Sequence, residues 1–299
     1  MADDWTSDLE QRGINTIRGL AMDAVQKANS GHPGTAMALA PLAHVLWTRI
    51  MRYDAGESGW PDRDRFVLSA GHASMLLYAM LYLTGFGLEL DDLREFRQWG
   101  SRTPGHPEWG HTRGVEVTTG PLGQGIGNAI GIALAEANLR ARFGPEVTDH
   151  HTFAICGDGD LEEGVSHEAA SLAGHLGLGR LVVVYDDNHI TIDGPTELAL
   201  TDDAPGRFRA YGWHVVELGE VANDLDALEA GVRAGMAEAA RPSLVVLRSH
   251  IGWPSPRFTD TSKAHGEALG EDEVRAVKEI LGMRPDEHFH VPEDVLAGY

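Results

Sequence analysis

The sequence of 299 residues has one cysteine, Cys156, so it cannot form an internal disulfide. No apolar run approaches the roughly 18 residues that a membrane-spanning helix needs. Residues 1–5 have neither the basic segment nor the apolar core of a signal peptide. These absences predict a cytoplasmic protein that does not span a membrane. Because Cys156 follows an apolar segment, we expect a small buried hydrophobic side chain and not a nucleophile.

Positive charge is also scarce. The sequence has 24 Lys and Arg residues against 45 Asp and Glu residues, which gives a net charge of −21. Such a surface disfavours nucleic acids and anionic membranes as partners, and it is explained by the need for solubility.

Hydrophobic periodicity predicts an α/β fold. Short apolar runs bounded by polar residues indicate buried parallel strands, whereas apolar residues spaced three to four apart indicate helices. The predicted strands are 66–69, 152–156, 181–184, 213–217 and 243–248, and the predicted helices are 9–28, 35–53, 123–143, 224–239 and 271–281. Their alternation predicts a mostly parallel sheet with helices on both faces. Nothing resembles a linker, so we predict one domain over residues 1–299.

Polar residues follow two of these strands, as in a magnesium site. The Asp158 carboxylate, the Asn188 amide oxygen and the backbone carbonyl of Ile190 are oxygen ligands of the kind that Mg²⁺ prefers. The carboxyl ends of adjacent parallel strands meet at one edge of a sheet, so these oxygens could share one ion. A diphosphate and water would complete the shell.

Glycines on both sides of Asp158 support the same interpretation. Without a Cβ, Gly157 and Gly159 let the backbone N–H groups approach phosphate. A helix predicted to begin near Glu162 would favour an anion at its N-terminus. The alternative is that both segments are only tight turns after strands.

Four of the 15 histidines stand beside glycine in predicted loops: His32, His72, His106 and His265. A loop histidine can transfer protons near neutral pH. The alternative for each one alone is a hydrogen-bonded structural role. Residues 100–119 form a long predicted loop rich in glycine, proline and histidine, which is typical of a functional loop.

Taken together, these motifs resemble the transketolases over nearly the whole chain. The matching segments are Ser-Gly-His-Pro-Gly at 30–34, Asp-Arg-Asp-Arg-Phe-Val-Leu-Ser at 62–69, Gly-His-Ala-Ser at 71–74, Thr-Pro-Gly-His-Pro-Glu at 103–108, Thr-Thr-Gly-Pro-Leu-Gly-Gln-Gly at 118–125, Gly-Asp-Gly at 157–159, Tyr-Asp-Asp-Asn at 185–188 and Ala-His-Gly at 264–266. The resemblance implies the diphosphate-binding domain of a thiamine diphosphate- and Mg²⁺-dependent enzyme. Ca²⁺ or Mn²⁺ could replace the Mg²⁺.

The resemblance also implies roles for individual residues. His72 and His265 should lie near the diphosphate and the thiazolium ring. Gly120 should offer its carbonyl to the aminopyrimidine, and Leu122 should pack beneath that ring. Glu163 resembles a glutamate that faces the subunit interface, with the alternative that it only stabilises a helix N-terminus.

For catalysis, the resemblance implies transfer of a two-carbon ketol unit from a ketose to an aldose, both normally sugar phosphates. His32 and His265 should lie near the donor's C3 hydroxyl, and His106 should lie near its C1 hydroxyl. Since the base that takes the C3 hydroxyl proton must later return it, we expect a histidine with a pKa near neutrality. Sulfosugars and a carrier-bound acceptor also remain open.

Transketolases contain two further domains, and this sequence lacks both the pyrimidine-binding and the C-terminal domain. We therefore expect a partner subunit that carries them, in an α₂β₂ assembly. A fragment of a longer protein is the alternative. Two other functions remain open, namely a 2-oxo-acid dehydrogenase E1-like subunit and a non-catalytic scaffold paralogue. The motif at 30–34 together with that at 103–108 disfavours the E1-like enzyme, and retention of Asp158, Asn188 and the loop histidines disfavours the scaffold.

Overall fold

The computed structural model describes residues 5–299, in which seven strands form two sheets. The strands are β1 (Arg65–Leu68), β2 (Thr152–Gly157), β3 (Leu181–Asp186), β4 (Ile190–Thr191), β5 (Gly194–Pro195), β6 (His214–Gly219) and β7 (Ser243–Leu247). Five are parallel in the order β1-β2-β3-β7-β6, and β4 and β5 form an antiparallel hairpin. The large sheet confirms the predicted mostly parallel architecture, with strand ends within two residues of those expected.

Thirteen α-helices occur among the described residues. They are α1 (Ser7–Ala28), α2 (Pro33–Ala38), α3 (Ala40–Val45), α4 (Ser74–Leu83), α5 (Leu90–Arg94), α6 (Gln124–Phe143), α7 (Asp158–Glu162), α8 (Gly164–Leu176), α9 (Ala204–Ala210), α10 (Leu225–Ala237), α11 (Ser262–Gly266), α12 (Glu271–Ile280) and α13 (Glu293–Gly298). Within residues 5–299, none is both long and apolar enough to cross a membrane.

Both faces of the large sheet are buried, which explains why its strands are continuous apolar runs. Alternate residues of a strand point to opposite faces. On β3, Val182 and Val184 join the core formed with α1 to α4 and α10, whereas Val183 and Tyr185 join the core formed with α6, α8 and α9. Cys156 is fully buried in the second core, as predicted, and burial raises the pKa of its thiol.

The helix predicted over residues 35–53 is wrong in detail, because the segment breaks at Leu39 into α2, α3 and a π-helical turn at Leu46–Ile50. Pro41 has no N–H group to donate to the carbonyl of Met37, four residues earlier, and its ring crowds that carbonyl. The buried Arg18 of α1 donates its Nε–H to the Met37 carbonyl instead, at 3.0 Å. The break is therefore compensated from another helix.

The helix predicted to begin near Glu162 is also wrong in its start. The short helix α7 begins at Asp158, directly after β2, and α8 begins at Gly164. Asp158 thus occupies the first turn of a helix at the carboxyl edge of the sheet. The loops after β1, β2 and β3 all leave the sheet at this edge, because their strands are parallel.

Candidate active site

A cavity of about 260 Å³ lies at the carboxyl edge of the sheet. Every residue that the sequence analysis assigned to the cofactor or to catalysis lines it. These are the four loop histidines His32, His72, His106 and His265, with Gly120, Leu122, Gly157, Asp158, Gly159, Asn188 and Ile190. Glu163, the predicted interface residue, does not line the cavity and is exposed.

The carboxyl group of Asp158 is buried, with only one oxygen hydrogen-bonded. Its Oδ1 accepts the Tyr185 hydroxyl at 2.5 Å, whereas its Oδ2 has no hydrogen-bond partner among the described residues. Burial raises the pKa of Asp158 to about 7, and the hydrogen bond from Tyr185 opposes that shift. An unpartnered buried carboxylate oxygen is unfavourable unless something binds it.

Asn188 is held by a second buried carboxylate. Asn188 Nδ2 donates to Asp186 at 2.7 Å, and Asp186 also accepts the Ser249 hydroxyl at 2.5 Å. The carboxylate fixes which end of the amide is the nitrogen, so the amide oxygen points away from Asp186, towards the N–H of Ile190 at 2.9 Å. Burial raises the pKa of Asp186 to about 6.

The donor set fits a magnesium ion that is shared with a diphosphate. Among residues 5–299, no group of three or more His, Cys, Asp or Glu side chains could hold a metal ion alone. Mg²⁺, however, is usually bound through one or two carboxylates with phosphate and water. Asp158, Asn188 and Ile190 all line the same cavity, and Asp158 Oδ2 has no hydrogen-bond partner among the described residues.

The two glycines beside Asp158 differ in what surrounds them. A Cβ at Gly157 would meet nothing within 4 Å, whereas one at Gly159 would lie 3.0 Å from Leu122 Cδ1. Packing within the chain therefore explains the glycine at 159 and not the one at 157. The open space beside Gly157 leaves room for a ligand.

Three of the histidines form one cluster. The ring centroids lie 4.9 Å apart for His72 and His265, 5.1 Å for His32 and His72, and 5.6 Å for His32 and His265. His32 Nδ1 and His265 Nδ1 are buried and lack a hydrogen-bond partner within the described residues. Both are positioned to accept or donate a proton within the cavity.

All four cavity histidines have a lowered pKa. Burial is the main cause for each, and it lowers the pKa of His32 to about 4 and that of His72 well below 6.5. The pKa values of His106 and His265 are also lowered, with the Ile190 carbonyl opposing the shift at His265. Burial therefore keeps these rings mainly neutral at pH 7, and the pKa of His32, at about 4, lies below the expected near-neutral value.

Close backbone contacts bring the histidines together. A Cβ at Gly34 would lie 2.5 Å from the Ala264 carbonyl oxygen, so only glycine allows α2 to approach α11. That approach sets His32 beside His265. Similarly, a Cβ at Gly71 would lie 2.6 Å from Thr119 Oγ1 and 2.8 Å from the N–H nitrogen of Gly120.

The loop that carries His106 is anchored by α4. The Tyr78 hydroxyl lies within hydrogen-bond distance of two loop carbonyls, those of Pro104 at 2.9 Å and His106 at 3.2 Å. The Ser74 hydroxyl donates to the Gly105 carbonyl at 2.9 Å. The long loop predicted over residues 100–119 is confirmed, since no helix or strand occurs between α5 and α6.

Sequence reasoning missed the buried residues behind the cavity wall. Tyr185, Asp186 and Ser249 hold the candidate metal ligands by hydrogen bonds, and the sequence analysis assigned no role to any of them or to Asp160. Asp160 is fully buried and accepts hydrogen bonds from Ser69, Gly123 and Gly157. The one available signal was three acids in five residues, 158–162, directly after a buried strand.

Residues 9–299 match the family described as transketolase, thiamine diphosphate binding domain. The transketolase of Mycobacterium tuberculosis (strain CDC 1551 / Oshkosh) is 53% identical over 301 residues, covering 99% of this chain and 43% of that protein. The crystal structure of transketolase from Pichia stipitis in complex with sedoheptulose 7-phosphate has a TM-score of 0.95 and 48% identity, covering 98% of this chain and 44% of that one. Transketolase from Leishmania mexicana has a TM-score of 0.94 and 47% identity, covering 97% and 43%. The chain thus spans less than half the length of these relatives.

Proposed function

The chain belongs to the transketolase family, and from this premise we propose that it supplies the diphosphate-binding domain, over residues 1–299, of a working transketolase. The reaction would be transfer of a two-carbon ketol unit between sugar phosphates. A sugar phosphate substrate is supported by the Pichia stipitis relative, whose structure contains a ketose phosphate. The observation that carries the proposal is one cavity lined by both the candidate metal ligands and the histidine cluster.

Asp158, Asn188 and the Ile190 carbonyl would hold Mg²⁺, and the metal would bind the diphosphate of the cofactor. Asp158 Oδ2 is the strongest support, because it is buried and without a partner in the described structure. Gly157 has open space beside it for a phosphate. His72 and His265 would lie near the diphosphate, where negative charge would raise the lowered pKa values of their rings.

When bound, thiamine diphosphate supplies an electron sink for the carbanion formed as a carbon–carbon bond breaks. The chain's own residues would manage protons and position groups. His32 and His265, neutral at pH 7, can accept the proton of the donor's C3 hydroxyl and return it to the product. His106 would bind the C1 hydroxyl, Gly120 would accept a hydrogen bond from the aminopyrimidine, and Leu122 would pack beneath that ring.

We further propose that a partner subunit carries the pyrimidine-binding domain, in an α₂β₂ assembly. Large apolar side chains are exposed on α6 and α8: Leu134, Leu139, Val165, Leu172 and Leu176. A groove beside Val165 runs along α6. A Cβ at Gly123 would lie 3.0 Å from Val165, so this face adjoins the loop that carries the cavity residue Leu122. Exposed apolar patches commonly mark interaction sites, and the partner that completes this cavity is the occupant that we propose. Glu163, exposed at the same edge, would face it.

The test is to co-express the chain with the partner that carries the pyrimidine-binding domain. Transfer from xylulose 5-phosphate to ribose 5-phosphate should require the mixture, Mg²⁺ and thiamine diphosphate. Pyruvate-dependent decarboxylation without ketol transfer would favour the E1-like alternative, and no cofactor binding by the mixture would refute the proposal.

The interface is tested separately by size-exclusion chromatography. Leu172→Asp should reduce co-elution of the two subunits, whereas Leu198→Asp, an exposed leucine outside α6 and α8, should not. Elution of the wild-type mixture as free monomers would contradict the α₂β₂ assembly. The cytoplasmic location stays a prediction, which fractionation of the source cells would test.

A further inference from the structure

Asp160 has the properties of a residue that joins separate parts of the cavity wall. Its side chain is fully buried, and among the described residues no lysine or arginine forms an ion pair with it. Burying an unpaired carboxylate is costly unless hydrogen bonds satisfy it. Here hydrogen bonds from backbone N–H groups and a hydroxyl stabilise the carboxylate in the absence of a cation. These donors belong to segments that are far apart in sequence.

Three segments meet at this carboxylate. Oδ1 accepts the Ser69 hydroxyl at 2.7 Å, just after β1, and the Gly123 N–H at 2.8 Å, just before α6. Oδ2 accepts the Gly157 N–H at 3.0 Å, at the end of β2. The loop that ends at Gly123 is therefore joined through one side chain to the turn that begins at Gly157.

Both joined segments line the cavity. Gly120 and Leu122 belong to the loop, whereas Asp158 and Gly159 belong to the turn. Leu122 Cδ1 would lie only 3.0 Å from a Cβ at Gly159, so the two segments are also in van der Waals contact. The affinity for a ligand that contacts both segments would therefore depend on the distance between them.

We propose that Asp160 is a positioning residue that sets the distance between the two ends of the cofactor site. This inference rests on the proposed function, in which the loop contacts the aminopyrimidine and the turn contacts the diphosphate. If Asp160 only stabilised the fold, for example by capping α7, its loss would weaken binding of the whole cofactor and of inorganic diphosphate by the same factor.

The isosteric substitution Asp160→Asn tests this inference in the assembled enzyme. The Gly123 N–H donates to Oδ1 and the Gly157 N–H donates to Oδ2, so whichever oxygen the amide nitrogen replaces, one of these N–H groups must face the amide's own N–H₂. The dissociation constant of thiamine diphosphate at saturating Mg²⁺ should rise about 10- to 100-fold, as expected for loss of a hydrogen bond to a charged group. The inhibition constant of inorganic diphosphate, which contacts only the turn, should rise less than about threefold.

Ser69→Ala is the matched control, since it removes the hydrogen bond that the hydroxyl donates to the same carboxylate and the one that it accepts from the Ile126 N–H, and leaves the Gly123–Asp160–Gly157 connection in place. Both variants should lower the melting temperature, because each removes a buried hydrogen bond. Only Asp160→Asn should change the ratio of the two binding constants. An unchanged ratio in Asp160→Asn, or an equal change in Ser69→Ala, would overturn the inference.

Hydrogen exchange of the wild-type enzyme gives a second test if Asp160→Asn does not fold. Inorganic diphosphate bound at the turn should slow exchange of the amides of Gly120, Leu122 and Gly123 as well as those at 157–159, because Asp160 connects them. Slowing confined to 157–159 would contradict the connection. Failure of the wild-type enzyme to bind thiamine diphosphate would refute the proposed function instead, so the two failures are distinguishable.

Discussion

The buried carboxyl group of Asp158 should make the unliganded protein less stable, and Asp158→Asn should remove that penalty. Asp158 is only 5% exposed, and burial raises its pKa from 3.8 to about 7. A difference of about three pKa units corresponds to about 4 kcal/mol in the free energy of unfolding. Asparagine keeps an oxygen to accept the Tyr185 hydroxyl, but its buried N–H₂ would replace the unpartnered Oδ2 at a cost of about 1–3 kcal/mol. The net gain is therefore about 1–3 kcal/mol at pH 8.

The gain should depend on pH in a defined direction. Below pH 3.8 the carboxyl group is protonated in both the folded and the unfolded protein, so ionisation gives no penalty. Between pH 3.8 and about 7 only the unfolded state ionises, and wild-type stability falls relative to the variant. Above pH 7 both states are ionised and the penalty is constant. The advantage of Asp158→Asn should thus be absent at pH 4 and complete at pH 8.

Denaturant titration of the unliganded wild type and variant at pH 4, 6 and 8 measures this difference, with exposed Asp193→Asn as a control for the same chemical change. At pH 8 the melting temperature of Asp158→Asn should rise by roughly 2–8 °C. Adding Mg²⁺ and thiamine diphosphate should stabilise the wild type strongly and the variant hardly at all. A variant that is less stable at pH 8, or that still binds the cofactor in a Mg²⁺-dependent way, would refute the reasoning.

Three further predictions concern catalysis and packing. His32→Ala should lower kcat by about 10²- to 10⁴-fold, while the dissociation constant of thiamine diphosphate changes less than about threefold. The control is His175→Ala, at an exposed histidine. An unchanged kcat in His32→Ala would show that His32 has no catalytic role. Burial lowers the pKa of His44 from 6.5 to about 4. The neutral ring therefore contributes about 3 kcal/mol to the free energy of unfolding above pH 6.5, and this contribution is lost as the pH falls towards 4. Urea titration of His44→Gln at pH 7.0 and 4.5 should show a smaller decline than the wild type, and an equal decline would contradict this. On α6, Gly125→Ala should lower stability by about 1–3 kcal/mol, since its Cβ would lie 2.4 Å from the Ser69 Cα, whereas Gly131→Ala has open space and should raise stability by about 1 kcal/mol. Equal melting temperatures for Gly125→Ala and Gly131→Ala would contradict the close approach of α6 to Ser69.

Much of the fold was predictable because its signals are local. The apolar runs of β2 and β3 and the alternation of strands with helices predict a parallel sheet with two buried faces, and the sheet agrees with this. The break at Leu39 was harder to foresee. Pro41 signals a disrupted helix, but the helix-to-helix hydrogen bond from Arg18 that makes the break tolerable depends on packing between distant segments.

The residue types of the site were also predictable. Asp158, Asn188 and the four loop histidines are polar groups placed just after apolar elements, and their motifs resemble one family in one order. All of them line one cavity. The lowered pKa values of the histidines were not predictable, because they arise from burial and from the mutual proximity of His32, His72 and His265, and neither is a property of a short sequence segment.

The sequence by itself determined the strands of the large sheet, their alternation with helices along the chain, and the chemistry available at the strand ends. Only the tertiary structure decided how the segments after β1 and β2 and the loop before α6 converge on Asp160, and which oxygen of Asp158 is left without a partner. The physical reason is that hydrophobic periodicity is a local property, whereas a buried hydrogen bond such as that between Ser69 and Asp160 joins groups 91 residues apart.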